Sequence, residues 1–298
     1  MLRPVGVVLL LVAACLRTAL AGESAAISVL DDRGMDVALP APARRVVAIS
    51  PHLAELAFDA GAGDLLVAVV RGSDYPPAAA GLPVVGDASG LDFERILALR
   101  PDLVLAWGGG NRAPDIERLE RAGARVFVAA PRRLDDVARH LRAIGRLAGR
   151  AERAQAAARA FERRLAALRV RYAAREPVRV FVEVWHRPLF TLGPRHIVSD
   201  VLATCGARNA IVDLPGDAAA VSPETLYALD PDAIVSALGE TRDQTVQAWR
   251  SFGRLRAVRT GALIALPPDL ILRATWRLLD GTQALCSALE KVRTGLRS

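Results

Sequence analysis

One motif occurs twice in this 298-residue chain. Glu94, Ala98-Leu99 and Pro101-Asp102 lead into the apolar run Leu103-Val104-Leu105. Glu224, Ala228-Leu229 and Pro231-Asp232 lead, in the same spacing, into Ala233-Ile234-Val235. A second pair lies upstream of each: Leu56-Ala57 through Gly61-Ala62 resembles Leu202-Ala203 through Gly206-Ala207. Each copy reads as a short helix, a turn and a buried strand. A chain that repeats such a unit builds two related lobes, and the cleft between lobes is where small ligands bind.

The order of elements gives the fold class. Ala26 to Leu39 alternates around Asp31-Asp32-Arg33-Gly34, a hairpin with an Asp/Gly turn. Arg45 to Ile49 is a short buried strand. Ser50-Pro51 then starts a helix that Gly61 ends. Strands at Leu66–Val70, Leu103–Trp107 and Arg125–Val128 alternate with helices at Phe93–Leu99, Ile116–Ala122 and Leu134–Leu147. This alternation predicts a parallel sheet with right-handed crossovers. Arg150 to Ala174 differs: it holds no Gly or Pro, and Phe161, Leu165 and Leu168 recur at helical spacing. It reads as one long helix bracing the lobes. Past Pro177 the theme returns, with strands at 178–184, 233–236 and 263–266. Helices follow at 197–205, 223–228, 245–249 and about 277–292. The predicted fold is α/β: two Rossmann-like lobes with parallel-type sheets, residues 22–148 and 177–298, joined by one backbone helix, 149–176.

Composition narrows the function. Apolar residues make up 52% of the chain and charged residues 24%, which is ordinary for a folded protein. The net charge of +7 comes from Arg spread among acids, with Lys291 the sole lysine. No basic patch forms, which argues against nucleic-acid binding. Met1 to Ala21 reads as a signal peptide: Arg3, an apolar core from Val5 to Ala14, and an A-x-A site at Ala19-Leu20-Ala21. A lipoprotein signal ending at Cys15 is the alternative, and either route exports the chain. Cys205 and Cys286 then meet an oxidising compartment, where they form a disulfide or stay as two buried thiols.

Taken together, the segments resemble the periplasmic substrate-binding proteins of ABC importers, in the class whose lobes share one long helix. Within it the likeness is to the cobalamin (vitamin B12)-binding members. It rests on Arg45 to Pro51, Ser73-Asp74-Tyr75-Pro76-Pro77, Glu94 to Leu105 and Ala106-Trp107 with Gly109-Gly110-Asn111. It continues through Pro188 to Gly193, Val221-Ser222 with Glu224, Asp269, and Leu285-Cys286 to Leu289. The resemblance implies a receptor that catches a corrinoid in the periplasm and delivers it to an inner-membrane ABC permease. It puts Tyr75, Trp107, Gly109 and Asn111 of the first lobe against the ligand. From the second lobe come Trp185, Phe190 and Asp269, with Arg273 and Trp276 nearby. Rigid aromatics suit a flat corrin, and loops at strand C-terminal ends are the expected place. Glu94 and Glu224, one per lobe, are implied to dock on permease arginines. One departure stands out: the cobalamin-binding members carry a Trp at the position of Ala88. A cobinamide-like corrinoid or another bulky chelate is then also a candidate cargo.

The residues leave other readings open. A receptor for haem or ferric siderophore is the alternative cargo class, and a periplasmic two-lobed enzyme or chelatase is a different class. No nucleophile elbow or phosphate loop is present in the sequence, so no catalytic residue is assigned. His52, His140, His186 and His196 show no pairing by spacing: His140 falls on a charged helix face and His186 and His196 flank a loop. No resident metal is therefore expected. Trp249 reads as a core residue. The chain is expected to work as a monomer.

Overall fold

The computed structural model describes residues 27–297, apart from Ala88 and Pro215. The signal segment 1–21, with Cys15, and the departure at Ala88 lie outside the described residues.

The described chain opens with the predicted hairpin, β1 (Ile27–Leu30) and β2 (Asp36–Leu39). The Asp31 carboxylate makes the turn by accepting the N–H groups of Arg33 at 2.8 Å and Met35 at 3.0 Å. There follow β3 (Val46–Ala48), α1 (Pro51–Asp59), β4 (Leu66–Val69), α2 (Pro77–Ala80), the short pair β5 (Gly86–Asp87) and β6 (Gly90–Leu91), and α3 (Phe93–Ala98). Next come β7 (Leu103–Trp107), α4 (Ala113–Arg121), β8 (Val126–Ala129) and α5 (Leu134–Leu147). The first sheet runs β4-β3-β7-β8, all parallel.

After α6 (Ala151–Tyr172) the second lobe holds β9 (Val178–Trp185), β10 (Phe190–Leu192), α7 (Ile197–Thr204), β11 (Ala207–Asn209), β12 (Ala218–Ala220) and α8 (Pro223–Leu229). It is completed by β13 (Ala233–Ser236), α9 (Arg242–Trp249), α10 (Arg256–Arg259), β14 (Leu263–Ala265), α11 (Pro268–Ile271) and α12 (Leu278–Arg297). Its sheet runs β12-β10-β9-β13-β14, with β11 also beside β9. This sheet is mixed rather than purely parallel, because β10 turns back antiparallel on β9.

The repeated motif does the same work in both lobes. Arg100 and Asp230, each just before the Pro-Asp pair, take φ of 44° and 39°, a left-handed geometry uncommon outside glycine. That kink ends α3 and α8 and turns the chain into β7 and β13. The aspartate then fastens the new strand to its neighbour. Asp102 accepts the N–H groups of Arg44 and Arg45 at 2.8 and 2.9 Å, and Asp232 accepts that of Arg179 at 2.9 Å. The strands so fixed, β7 beside β3 and β13 beside β9, are central in their sheets.

The lobes share an interior. One cluster of buried side chains runs from Val46 and Leu105 through Phe161 and Leu165 of α6 to Val180, Val182, Leu285 and Leu289. The backbone helix is therefore embedded rather than a bare strut: Ala154, Ala158, Phe161 and Leu165 are each no more than 1% exposed. Arg142 clasps Glu162, and Arg169 pairs with both Asp135 and Asp200, across the outer side of that packing. Cys205, just past α7, and Cys286 on α12 are joined by a disulfide.

Candidate functional site

Helices that precede a parallel strand run antiparallel to it, so the N-termini of α3 and α8 and the C-terminal ends of β7 and β9 lie at one end of their sheets. The predicted residues sit there. Trp107 is the last residue of β7, and its indole folds back over its own turn. A Cβ on Gly109 or Gly110 would come within 2.9 or 2.0 Å of the ring, so only glycine lets the ring lie flat. His52 meets the indole edge-on at 5.3 Å. Asn111 knits the loop together: its Oδ1 accepts the Trp107 N–H at 2.7 Å and its Nδ2 donates to Ile49 O at 2.9 Å. Among the described residues these are its two side-chain hydrogen bonds.

Tyr75 stands 41% exposed on the loop after β4. The guanidinium of Arg277, from the other lobe, stacks on its ring at 3.8 Å. Trp185 is 60% exposed at the end of β9, and its Nε1–H donates to Arg187 O. Phe190 faces it as its cross-strand partner. Trp276 is half-buried and meets Phe161 of α6 edge-on at 5.8 Å.

An ion-pair network crosses between the lobes beside Tyr75. Glu55, 1% exposed in α1, accepts from Arg273 Nη1 at 2.8 Å and from Arg277 Nε and Nη2 at 3.0 and 2.8 Å. Arg273 also bonds Asp74 at 2.9 Å, Gly72 O at 3.1 Å and Asp269 at 3.0 Å. The Arg273 guanidinium holds the Asp74 carboxyl below the usual carboxylate range. Asp269 and Arg273 are expected from the sequence against the ligand, not in an ion pair between lobes; Glu55, Asp74 and Arg277 are not among the expected site residues. The one sequence signal for Glu55 is an acid among Leu53, Ala54, Leu56 and Ala57 on an otherwise apolar helix.

Deeper in the cleft lies a cavity of about 80 Å³ walled by both lobes. His52, Trp107, Gly108, Gly109 and Arg132 contribute from one side, and Arg195, His196 and Asp217 from the other. The structure thus brings together two of the four histidines that spacing left apart. Burial pushes His52 down to about 3, helped by the charges of His140 and Arg273, and burial pushes His196 down to about 4. Both rings are neutral at pH 7. His140 corrects its expected place on a charged face: it is fully buried, and its Nε2 bonds Asp32 of the hairpin at 2.8 Å. His186 bonds the buried Glu183, which also accepts from Trp249 Nε1 at 2.9 Å. Trp249 is a core residue, as predicted.

Glu94 and Glu224 are exposed in the first turns of α3 and α8. Asp92 and Ser222 cap those helices, accepting the N–H groups of Arg95 and Thr225. The Ser222 hydroxyl and the backbone N–H of Glu224 itself hold the Glu224 carboxyl below its ordinary range.

Residues 46–270 match the periplasmic binding protein family. The chain belongs to that family. A vitamin B12-binding protein of Vibrio cholerae is 34% identical over 255 residues, 85% of this chain and 92% of the relative. The crystal structure of a periplasmic vitamin B12-binding protein of V. cholerae matches with a TM-score of 0.79 at 33% identity, covering 85% of this chain and 98% of that one. A periplasmic haem-binding protein of Pseudomonas aeruginosa matches with a TM-score of 0.71 at 30% identity, covering 83% and 92%. The two lobes and the single long helix are thus the architecture of a periplasmic binding protein.

Proposed function

We propose that this protein is an exported receptor that captures cobalamin or a related corrinoid between its lobes and hands it to an inner-membrane ABC permease. Two contacts between the lobes carry the reading, Tyr75 against Arg277 and Trp107 in a cavity shared with Arg195 and His196, in a chain 34% identical to a B12-binding relative. A corrin is flat, apolar on its faces and fringed with amides. Half-exposed aromatics supply area at low entropic cost, and Asp269, Asn111 and backbone groups of Gly108 to Gly110 suit the amides. The cavity at the base is far below the roughly 300–1,000 Å³ of a drug-sized pocket. The ring therefore rides in the mouth, and only an appendage reaches the base.

The receptor works in the periplasm after loss of residues 1–21, or tethered through Cys15. Glu94 and Glu224 form a matched acidic pair, one on each lobe, for permease arginines; such pairs set orientation and encounter rate. The protein acts as a monomer and a carrier, with the corrinoid as cargo rather than cofactor.

Tryptophan quenching on titration with cyanocobalamin, haemin and a ferric hydroxamate tests the reading. Saturable quenching by cyanocobalamin at micromolar concentration or below is expected. Binding of haemin alone would transfer the assignment to the haem class, for which the P. aeruginosa relative is the precedent.

A further inference from the structure

The base of the cleft is built for something the aromatic mouth does not explain. His52 is 6% exposed, yet its Nε2 has no hydrogen-bond partner among the described residues, a condition that is costly in a buried polar group. Its other nitrogen, Nδ1, lies 2.7 Å from Ser50 Oγ. With the hydroxyl donating to Nδ1, the neutral ring carries its proton on Nε2 and presents a donor. His196 has the same polarity. Its Nδ1 accepts the Val198 N–H at 3.2 Å and caps α7, so its proton also sits on Nε2. Both rings line the same cavity.

Charge and backbone point the same way. Arg132 and Arg195 line the cavity from opposite lobes and share one carboxylate, Asp217, at 3.9 and 4.0 Å. Those separations are the loose end of an ion pair, so a surplus positive charge remains beside Asp217. The N-terminus of α1 opens beside His52 with no side-chain cap and no acid in its first turn, which favours negative charge there. A cavity of about 80 Å³ exceeds several-fold the roughly 10–15 Å³ that one water needs.

We propose that the base of the cleft, formed by His52, His196, Arg132 and Arg195, is an anion subsite that receives the phosphodiester of a complete corrinoid. The inference rests on the corrinoid reading above and deepens it. The ring stays in the mouth while the nucleotide loop reaches down, and its single negative charge meets two neutral N–H donors and the surplus Arg. A corrinoid without that loop leaves the donors empty. The subsite is thus a device for choosing complete cargo over its precursors.

The test compares cyanocobalamin with dicyanocobinamide, which lacks the phosphodiester and base, on the full mature protein by calorimetry. Wild type should bind cyanocobalamin at least tenfold tighter. Arg132→Gln with Arg195→Gln changes only exposed side chains and should erase most of that preference by weakening cyanocobalamin alone. His52→Leu should do likewise, and His52→Gln, which keeps a donor near Nε2, should recover it. Should His52→Leu fail to fold, the arginine pair carries the test. The proposal is overturned if the variants weaken both corrinoids alike, or if wild type shows no preference. If wild type binds neither corrinoid, the receptor reading itself fails. Haemin, whose carboxylates share the anionic chemistry, then tells whether the subsite serves another cargo: the arginine variant should lower its affinity as well.

Discussion

Glu55→Ala removes the carboxylate on which two arginines of the opposite lobe converge. Three charge-assisted hydrogen bonds of 2.8 to 3.0 Å disappear from a site where the acid is 1% exposed and each arginine side chain is 17% exposed. Breaking one partner out of a buried pair costs about 3–5 kcal/mol, because the charge left behind is neither solvated nor matched. Arg273 keeps Asp74, Asp269 and Gly72 O, and Arg277 keeps the face of Tyr75, so the lower end, about 3 kcal/mol, is expected. Urea unfolding at pH 7 and 0.15 M salt measures it. A double-mutant cycle with Arg277→Ala isolates the pair and should return a coupling of about 2 kcal/mol. Arg277→Ala by itself removes the guanidinium that covers Tyr75, so that ring should become more accessible to a collisional quencher. A loss below about 1 kcal/mol, the value of an exposed pair, would refute the view that this network locks the lobes.

Four further outcomes are expected. Burial pushes Asp59 up to about 6 against the partial pull of the Trp276 N–H, with the Glu55 charge adding to the rise. Its contribution is whole below pH about 4 and lost as pH climbs through 6, so Asp59→Asn should stabilise by about 2 kcal/mol at pH 7.5 and by nothing at pH 4 in thermal melts. His196 has the opposite sign: with its folded value near 4, stability present above 6.5 falls away as pH drops towards 4. His196→Asn keeps an N-cap acceptor, and acid melts should show that limb reduced by about 2 kcal/mol. Replacing Cys205 and Cys286 with Ala opens a loop of 81 residues and should cost about 2–5 kcal/mol in urea unfolding. Glu94→Ala with Glu224→Ala should leave cyanocobalamin affinity within about twofold while vesicle uptake collapses, since docking charges govern encounter more than cargo contacts.

What was legible in the chain was local. The Glu-to-Pro-Asp unit announced the two lobes because its residues act on their own neighbourhood: a cap, a kink and a carboxylate that ties one strand to the next. The backbone helix was visible from an absence of Gly and Pro between 150 and 174, and its observed span, Ala151–Tyr172, differs only in frayed ends. The short strands β10, β11 and β12, three residues each, carry too little alternation to be read, and Ala218 to Ala220 has no strand preference of its own. The interlobe network escaped because its partners stand 218 and 222 residues apart, beyond any periodic signal. His52 follows directly on Ser50-Pro51, where the sequence starts a helix, which makes it a first-turn residue. That description is correct, and it says nothing of the second lobe closing over the ring.

The continuous interior across α6 has a consequence for how this molecule can be taken apart. Cutting the chain on either side of that helix would strip cover from Phe161, Leu165 and Leu168. Phenylalanine truncation alone in such a setting costs about 3–5 kcal/mol. Either half expressed alone should expose that apolar surface and aggregate, and heating the whole chain should unfold both lobes in one calorimetric peak. The two similar pieces this receptor is built from are bound through a common hydrophobic heart.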